Sequence, residues 1–237
     1  MKLFLLCKRP KVERRVFFLA FLLPVCLCAQ DLSDCPQIVF ETDSGTIRIA
    51  LYNETPQHRD NMLKLVREGF YDGVLFHRVI DRFMIQTGDA GSKNAQPGQL
   101  LGGSAEAYKI PAEICWPKYF HKKGAVAAAR EGSDTNPEWK SSMSQFYIVT
   151  GRRFSDNMLD DAEERIFRDT HKAVNIPEEL RQVYREVGGT PHLDTQYTVF
   201  GEVVEGLDVA LRIQKAETDG NARPVTDIHI IRAYVGN

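Results

Sequence analysis

The feature that most restricts this fold is a series of short apolar or alternating runs, each bounded by turn residues, with little helical sequence between them. Residues 37–52 alternate around Asp43-Ser44-Gly45, with Ile38 and Phe40 before the turn and Ile47, Ile49 and Leu51 after it, which predicts a β-hairpin. Runs at 74–79, 83–86, 124–129, 145–150, 197–203 and 226–234 read as further strands. A single early helix follows the hairpin: Thr55 is the expected N-cap, Pro56 opens it, Met62, Leu63 and Val66 share one face, and Gly69 ends it. A second, short helix fits 209–213. Parallel βαβ winding needs more helices than this, so the chain is expected to be mainly β, a barrel or a sandwich.

Between 152 and 190 the sequence becomes charged and helix-forming. Helices are expected at 162–173 and 177–187, opened by Pro177, closed by Gly188-Gly189 and docked through Ile166, Leu180, Val183, Tyr184 and Val187. This pair reads as an insertion on the β framework.

The N-terminus calls for separate treatment. Lys8, Arg9, Lys11, Arg14 and Arg15 precede an uncharged apolar run at 16–29, shorter than the roughly 20 residues that span a bilayer. Residues 1–29 therefore read as a secretory signal, 30–36 as a short linker and 37–237 as one folded domain. Cys26 or Cys28 offers the alternative of a lipoprotein signal, whose acyl chains would anchor the domain to a membrane. The expected location is outside the cytoplasm, in a periplasm or on a membrane facing it. Removing this segment takes six of the 30 cations and one of the 32 anions, leaving 24 against 31 and a net charge of −7. Such an acidic domain repels a phosphate backbone, so no nucleic-acid partner is expected. Only Cys35 and Cys115 remain, which excludes a disulfide framework and a four-cysteine metal site and leaves open whether these two pair. The six histidines lack ligand spacing, and no metal or cofactor is expected.

The stretch FHRVIDRFMIQTGD, from Phe76 to Asp89, places Arg78, Phe83, Met84 and Gln86 within nine residues on two adjacent strand runs. One cation, two large apolar groups and one amide would make an apolar slot with a donor at its lip. On composition alone, Phe and Met on strands are more often core, and Arg78 more often a solvated surface residue.

The same stretch resembles the signature of the cyclophilins, F-H-R-x-I-x-x-F-M-x-Q-x-G-D, at every fixed position. SQFYIVTG from Ser144 and LDTQYTVFGEVVEGLDV from Leu193 are similar to two further blocks of that family, in the same order. The resemblance implies an eight-stranded antiparallel closed β-barrel capped by two helices, and a peptidyl-prolyl cis-trans isomerase acting on proline-containing polypeptides; the chain is expected to be a monomer. It implies that Arg78 is the catalytic cation and that Phe83, Met84, Tyr147 and Leu193 line a proline pocket. Gln86 and Gln145 would hold the substrate backbone, together with the main chain of Ala129 and Arg130, and His192 and Tyr197 would form the rim.

These residue types suit the reaction. Rotating the bond before proline breaks amide resonance, a barrier of about 18–20 kcal/mol. Midway, the prolyl nitrogen regains a basic lone pair, so a guanidinium aimed at it binds the twisted amide better than either planar isomer. The planar, permanently charged fork of Arg serves this better than Lys, and a charge-assisted hydrogen bond contributes roughly 1.5–3 kcal/mol. The sequence departs from the family where His192 stands for Trp, Tyr197 for His, Arg130 for Asn, Met143 for a small residue and Asp81-Arg82 for Pro-Gly. The rim therefore differs, and cyclosporin-type binding is less assured than catalysis. The competing reading is a chaperone or assembly module that holds polypeptides in the same groove without turning them over.

Overall fold

The computed structural model describes residues 32–236; the expected signal at 1–29 and the first residues of the expected linker lie outside them. The alternation around Asp43-Ser44-Gly45 folds as the hairpin it predicts. Strand β1 (Gln37–Thr42) pairs antiparallel with β2 (Gly45–Leu51), in register from Gln37 opposite Ala50 to Thr42 opposite Gly45. In the turn, Thr42 Oγ1 donates to Gly45 O at 2.6 Å and accepts from the Ser44 N–H.

The remaining strands of the main sheet are β3 (Arg78–Ile80), β4 (Met84–Thr87), β6 (Ala125–Ala128), β8 (Phe146–Val149), β9 (Val199–Glu205) and β10 (Ile230–Val235), while β5 (Lys109–Ile110) and β7 (Ser141–Ser142) form a separate small ladder. Eight strands make one antiparallel sheet in the order β10-β1-β2-β9-β6-β8-β4-β3. The expected closed barrel is corrected here: the sheet is curled but not closed, with β10 and β3 as its edges. The gap is crossed by one isolated bridge, Leu75 to His229, and by irregular hydrogen bonds such as Phe76 N–H to Ile228 O and Val79 N–H to Ala222 O. The physical reason lies in the segment facing β3. The Asp219 carboxylate takes the N–H groups of Asn221 and Arg223 into a tight turn, and Pro224 has no N–H to offer a ladder.

Two helices cover the sheet, as expected. Helix α1 (Pro56–Arg67) buries Met62, Leu63, Leu65 and Val66, and α4 (Leu207–Ile213) buries Val209, Ala210 and Ile213, against Ile38, Phe40, Ile49, Ile85, Phe146 and Ile148 of the sheet. Thr55, however, does not cap α1 with its side chain; Oγ1 turns back to Tyr52 O. Glu113, distant in sequence, takes that role by accepting the N–H groups of Gln57 at 3.1 Å and His58 at 3.0 Å and the His58 ring at 2.6 Å. A carboxylate at the positive end of a helix satisfies two of its orphan donors.

The helical pair between β8 and β9 is α2 (Asp156–Thr170) and α3 (Glu178–Glu186). α2 starts six residues before the expected 162, because Asp156 in its first turn complements the helix dipole although it reads locally as loop. Ile166 and Tyr184 dock as expected, joined by Leu159 and Ile176 in a small core of their own against Phe120 and Phe154. Val187 does not dock; it follows the last turn of α3 and is 43% exposed. Arg181 ties the two helices through Asp160 at 2.5 Å and Glu163 at 3.0 Å. The pair leaves and rejoins the sheet through a narrow neck, where a Cβ on Gly151 would lie 1.9 Å from Gly189 O, a separation only glycine permits.

Candidate active site

Strand alternation sorts the sheet into two faces. On the inner face Val79, Ile85, Val126, Phe146 and Ile148 belong to the main core. On the outer face Met84, Ala125, Ala127, Tyr147, Val149 and Val199 form a second cluster, against which Phe83, Ala129, Leu193 and Tyr197 pack half-buried. Register then sets the polar groups. Arg78 lies opposite Gln86 across β3 and β4, and Gln86 opposite Tyr147 across β4 and β8, so all three project from the outer face. A slip of one residue would turn each of them into the core.

The polar side of the site is a short relay of amides. Arg78 Nη1 donates to Gln86 Oε1 at 3.2 Å and lies 4.0 Å from Met84 Sδ. Gln86 Nε2 donates to Gln145 Oε1 at 3.2 Å, and Gln145 Nε2 to Gly102 O at 3.0 Å. Gly102, at φ +90°, is held by its N–H donating to Asp89 Oδ2. Burial alone would raise the Asp89 pKa, but hydrogen bonds from Ser104, Gly102 and Gly91 outweigh it and hold the carboxyl below its ordinary value. The Arg78 fork is exposed, and its Nε and Nη2 groups bond no group among the described residues.

The apolar side is braced from behind. Leu193 and His192 lie on a single 3-10 turn, Pro191–Leu193, and the His192 ring stacks on Phe83 with centroids 5.6 Å apart. Below that turn the fully buried Asp194 accepts from the His121 N–H at 2.9 Å and from His121 Nδ1 at 2.8 Å through one oxygen, and from Tyr184 Oη at 2.6 Å through the other. His121 Nε2 in turn meets Tyr147 Oη at 3.0 Å. The pocket floor is thus linked to the helical pair by a continuous buried chain, Tyr147–His121–Asp194–Tyr184. Burial raises the hydroxyl pKa of both tyrosines, so both keep their protons for these bonds. The hydroxyl of Tyr147 is what lets the floor join this chain.

The rim differs in character from one end to the other. Arg130 donates to Gln196 O at 3.0 Å and lies over the Tyr197 ring at 4.6 Å, so its side chain packs along the rim while Ala129 N–H is taken by Gln145 O. His192 is held neutral, with burial first and then the charges of Arg165, His121 and Arg152 lowering its pKa to about 3. The eleven predicted site residues thus lie as neighbours on one face: Phe83, Met84, Ala129, Tyr147, Leu193 and Tyr197 in the outer apolar cluster, Arg78, Gln86 and Gln145 in the relay, Arg130 over Tyr197 and His192 on Phe83. The structure adds Gly102, His121 and Asp194, which the sequence did not single out, and gives Tyr184, expected only as a docking residue, a bond to Asp194. Only the Gly102-Gly103 pair carried a local signal, and it reads as loop.

A family model, Cyclophilin type peptidyl-prolyl cis-trans isomerase/CLD, matches residues 37–235. The chain belongs to the cyclophilin-type isomerases. A Staphylococcus epidermidis relative carrying the peptidyl-prolyl cis-trans isomerase name is 31% identical over 195 residues, covering 82% of this chain and 88% of the relative. A Streptococcus pyogenes relative, named as a bifunctional phosphatase and peptidyl-prolyl cis-trans isomerase, is 31% identical over 198 residues, covering 82% of this chain and 37% of its own length. Among solved structures, a Cryptosporidium parvum cyclophilin superposes with a TM-score of 0.61 over 86% of this chain and 98% of its own, at 19% identity, a likeness of fold. This cyclophilin keeps Cys35 and Cys115 as free thiols.

Proposed function

We propose that this isomerase works, as a monomer, on proline-containing polypeptides exported with it, and that Arg78 lowers the barrier by donating to the prolyl nitrogen at mid-rotation. The observation that carries the reading is the position of the Arg78 fork beside the outer-face apolar cluster of Phe83, Met84, Tyr147 and Leu193, with Nη1 engaged by Gln86 and Met84 and with Nε and Nη2 unpaired among the described residues; the proline ring would seat in a recess on that cluster. The recess grips the proline ring; Gln86 and Gln145, tied into one relay, fix the backbone before it, so one end of the amide turns against the other. Arg78 is exposed in the free protein, and a polypeptide seated over it would displace water, which strengthens the hydrogen bond from the guanidinium to the twisted amide's lone pair. Neither a nucleophile nor a metal is required by this chemistry.

Export is supported by the basic-then-apolar segment at 1–29, with Cys26 or Cys28 as the alternative lipid anchor; sequencing the mature N-terminus by mass spectrometry distinguishes the two. The mechanism is tested by proline-peptide isomerisation with the wild type and Arg78→Ala. A loss of rate in the variant supports it. Equal rates, or no rate in the wild type, would favour a module that holds polypeptides without turning them over.

A further inference from the structure

Beside the proline recess, and separated from it by the stacked Phe83 and His192 rings, lies a pocket of about 230 Å³ that the helical pair completes. Phe154 and Met158 give it an apolar wall, and Arg82, Arg152 and Arg165 bring three guanidiniums to it against one carboxylate, Asp161. These cations are weakly engaged. Arg82 and Arg165 reach their nearest carboxylates only at 3.9 Å and 3.7 Å, and Arg152 makes only a ring contact with Phe154 among the described residues. The charge is felt locally, since Arg165 and Arg152 add to burial in keeping His192 unprotonated.

The placement suggests which part of a substrate arrives there. Gln86, Gln145 and Gly102, which hold the chain before the proline in the reading above, line a different cavity on the opposite side of the recess. A chain leaving the proline ring in the other direction passes Phe83 and His192. We propose that this pocket is a specificity subsite for the residue following proline and that it favours an acidic side chain, whose methylenes rest on Phe154 and Met158 while its carboxylate meets Arg152 and Arg165. The proposal rests on the groove assignment made under the proposed function, because it takes its direction from it.

The test is a series of peptides differing only in the residue after proline, Glu, Gln or Lys, with isomerisation followed by exchange NMR. For exposed charges meeting a carboxylate, kcat/KM should fall in the order Glu, Gln, Lys, with Glu over Gln by about three- to tenfold. The ratio should shrink as ionic strength rises from about 0.05 to 0.5 M. In Arg152→Gln/Arg165→Gln, checked for folding by its melting curve, it should drop to about one. Equal kcat/KM for Glu and Gln in the wild type, or a ratio unchanged in the double variant, overturns the subsite while leaving the isomerase intact. Fluorescence anisotropy on the same peptides reads the subsite without turnover: a Glu-over-Gln affinity ratio of about three- to tenfold supports it even if no peptide is isomerised, and equal affinities overturn it.

Discussion

The two sides of the groove are built by different means. On the polar side, Arg78 and Gln86 are placed by strand register alone, within segments a few residues long, and the Arg78 fork stays in water. On the apolar side, Leu193 and His192 sit on a three-residue turn that owes its position to a buried chain of hydrogen bonds running through Asp194 and His121 to Tyr184, a residue of the helical pair. The lesson is that chemistry and shape are decoupled: the cation proposed to act on the amide can be changed at little cost to folding, whereas the wall beside it is tied to global stability.

Breaking the buried chain should give the largest effect. Asp194→Ala strands His121 and Tyr184 in a dry interior, and loss of one partner of a buried pair costs about 3–5 kcal/mol, so chemical denaturation should show a large drop in stability along with loss of activity. Arg78→Ala should lower kcat/KM roughly 10- to 150-fold, the equivalent of one charge-assisted hydrogen bond, while the melting temperature stays within about 1–2 °C of wild type. If that variant melts much earlier, the two sides are not independent. Tyr184→Phe removes a single donor to Asp194 and should cost about 1–2 kcal/mol, a fall in melting temperature of about 2–6 °C, with KM rising more than kcat falls if the wall shifts.

The smallest effect concerns pH. Burial lowers the pKa of His77 to about 4 and that of His192 to about 3, against an ordinary value near 6.5. Between these limits the unfolded chain binds protons that the folded chain refuses, so stability rises with pH; it is lost progressively as pH falls below about 6.5. The carboxyls of Asp89 and Glu113, held below their ordinary values chiefly by hydrogen bonds that outweigh burial, add to the loss in more acid solution. Melting curves from pH 7 to 4 check this, and a flat profile would mean that His77 and His192 are more solvated than the structure shows.

The polar side was legible in the sequence because it is local: the motif from Phe76 to Asp89 carries its own alternation, and alternation is what register obeys. The apolar side was legible only in part. Tyr147, His192 and Leu193 came from resemblance, but nothing marks Asp194 or His121 as partners, since they stand 73 residues apart and meet only through the fold. Glu113 capping α1 escaped for the same reason, a bond across 55 residues replacing the Thr55 cap that local rules favour. Closure of the barrel failed at the turn around Asp219 and at Pro224, where a run of apolar residues from 226 to 234 suggested a longer strand than the backbone could pair.

The neck at Gly151 and Gly189 brings the two ends of the helical pair into van der Waals contact. Geometrically, a splice there would need almost no bridging residues, so the segment is in principle a removable module. Excision would nevertheless take the Tyr184 phenol from one oxygen of the buried Asp194 and leave His121, which lies outside the segment, as its remaining partner. A shortened chain should therefore lose at least the one hydrogen bond that Tyr184→Phe removes, and the fit of the recess wall is where that loss would be felt.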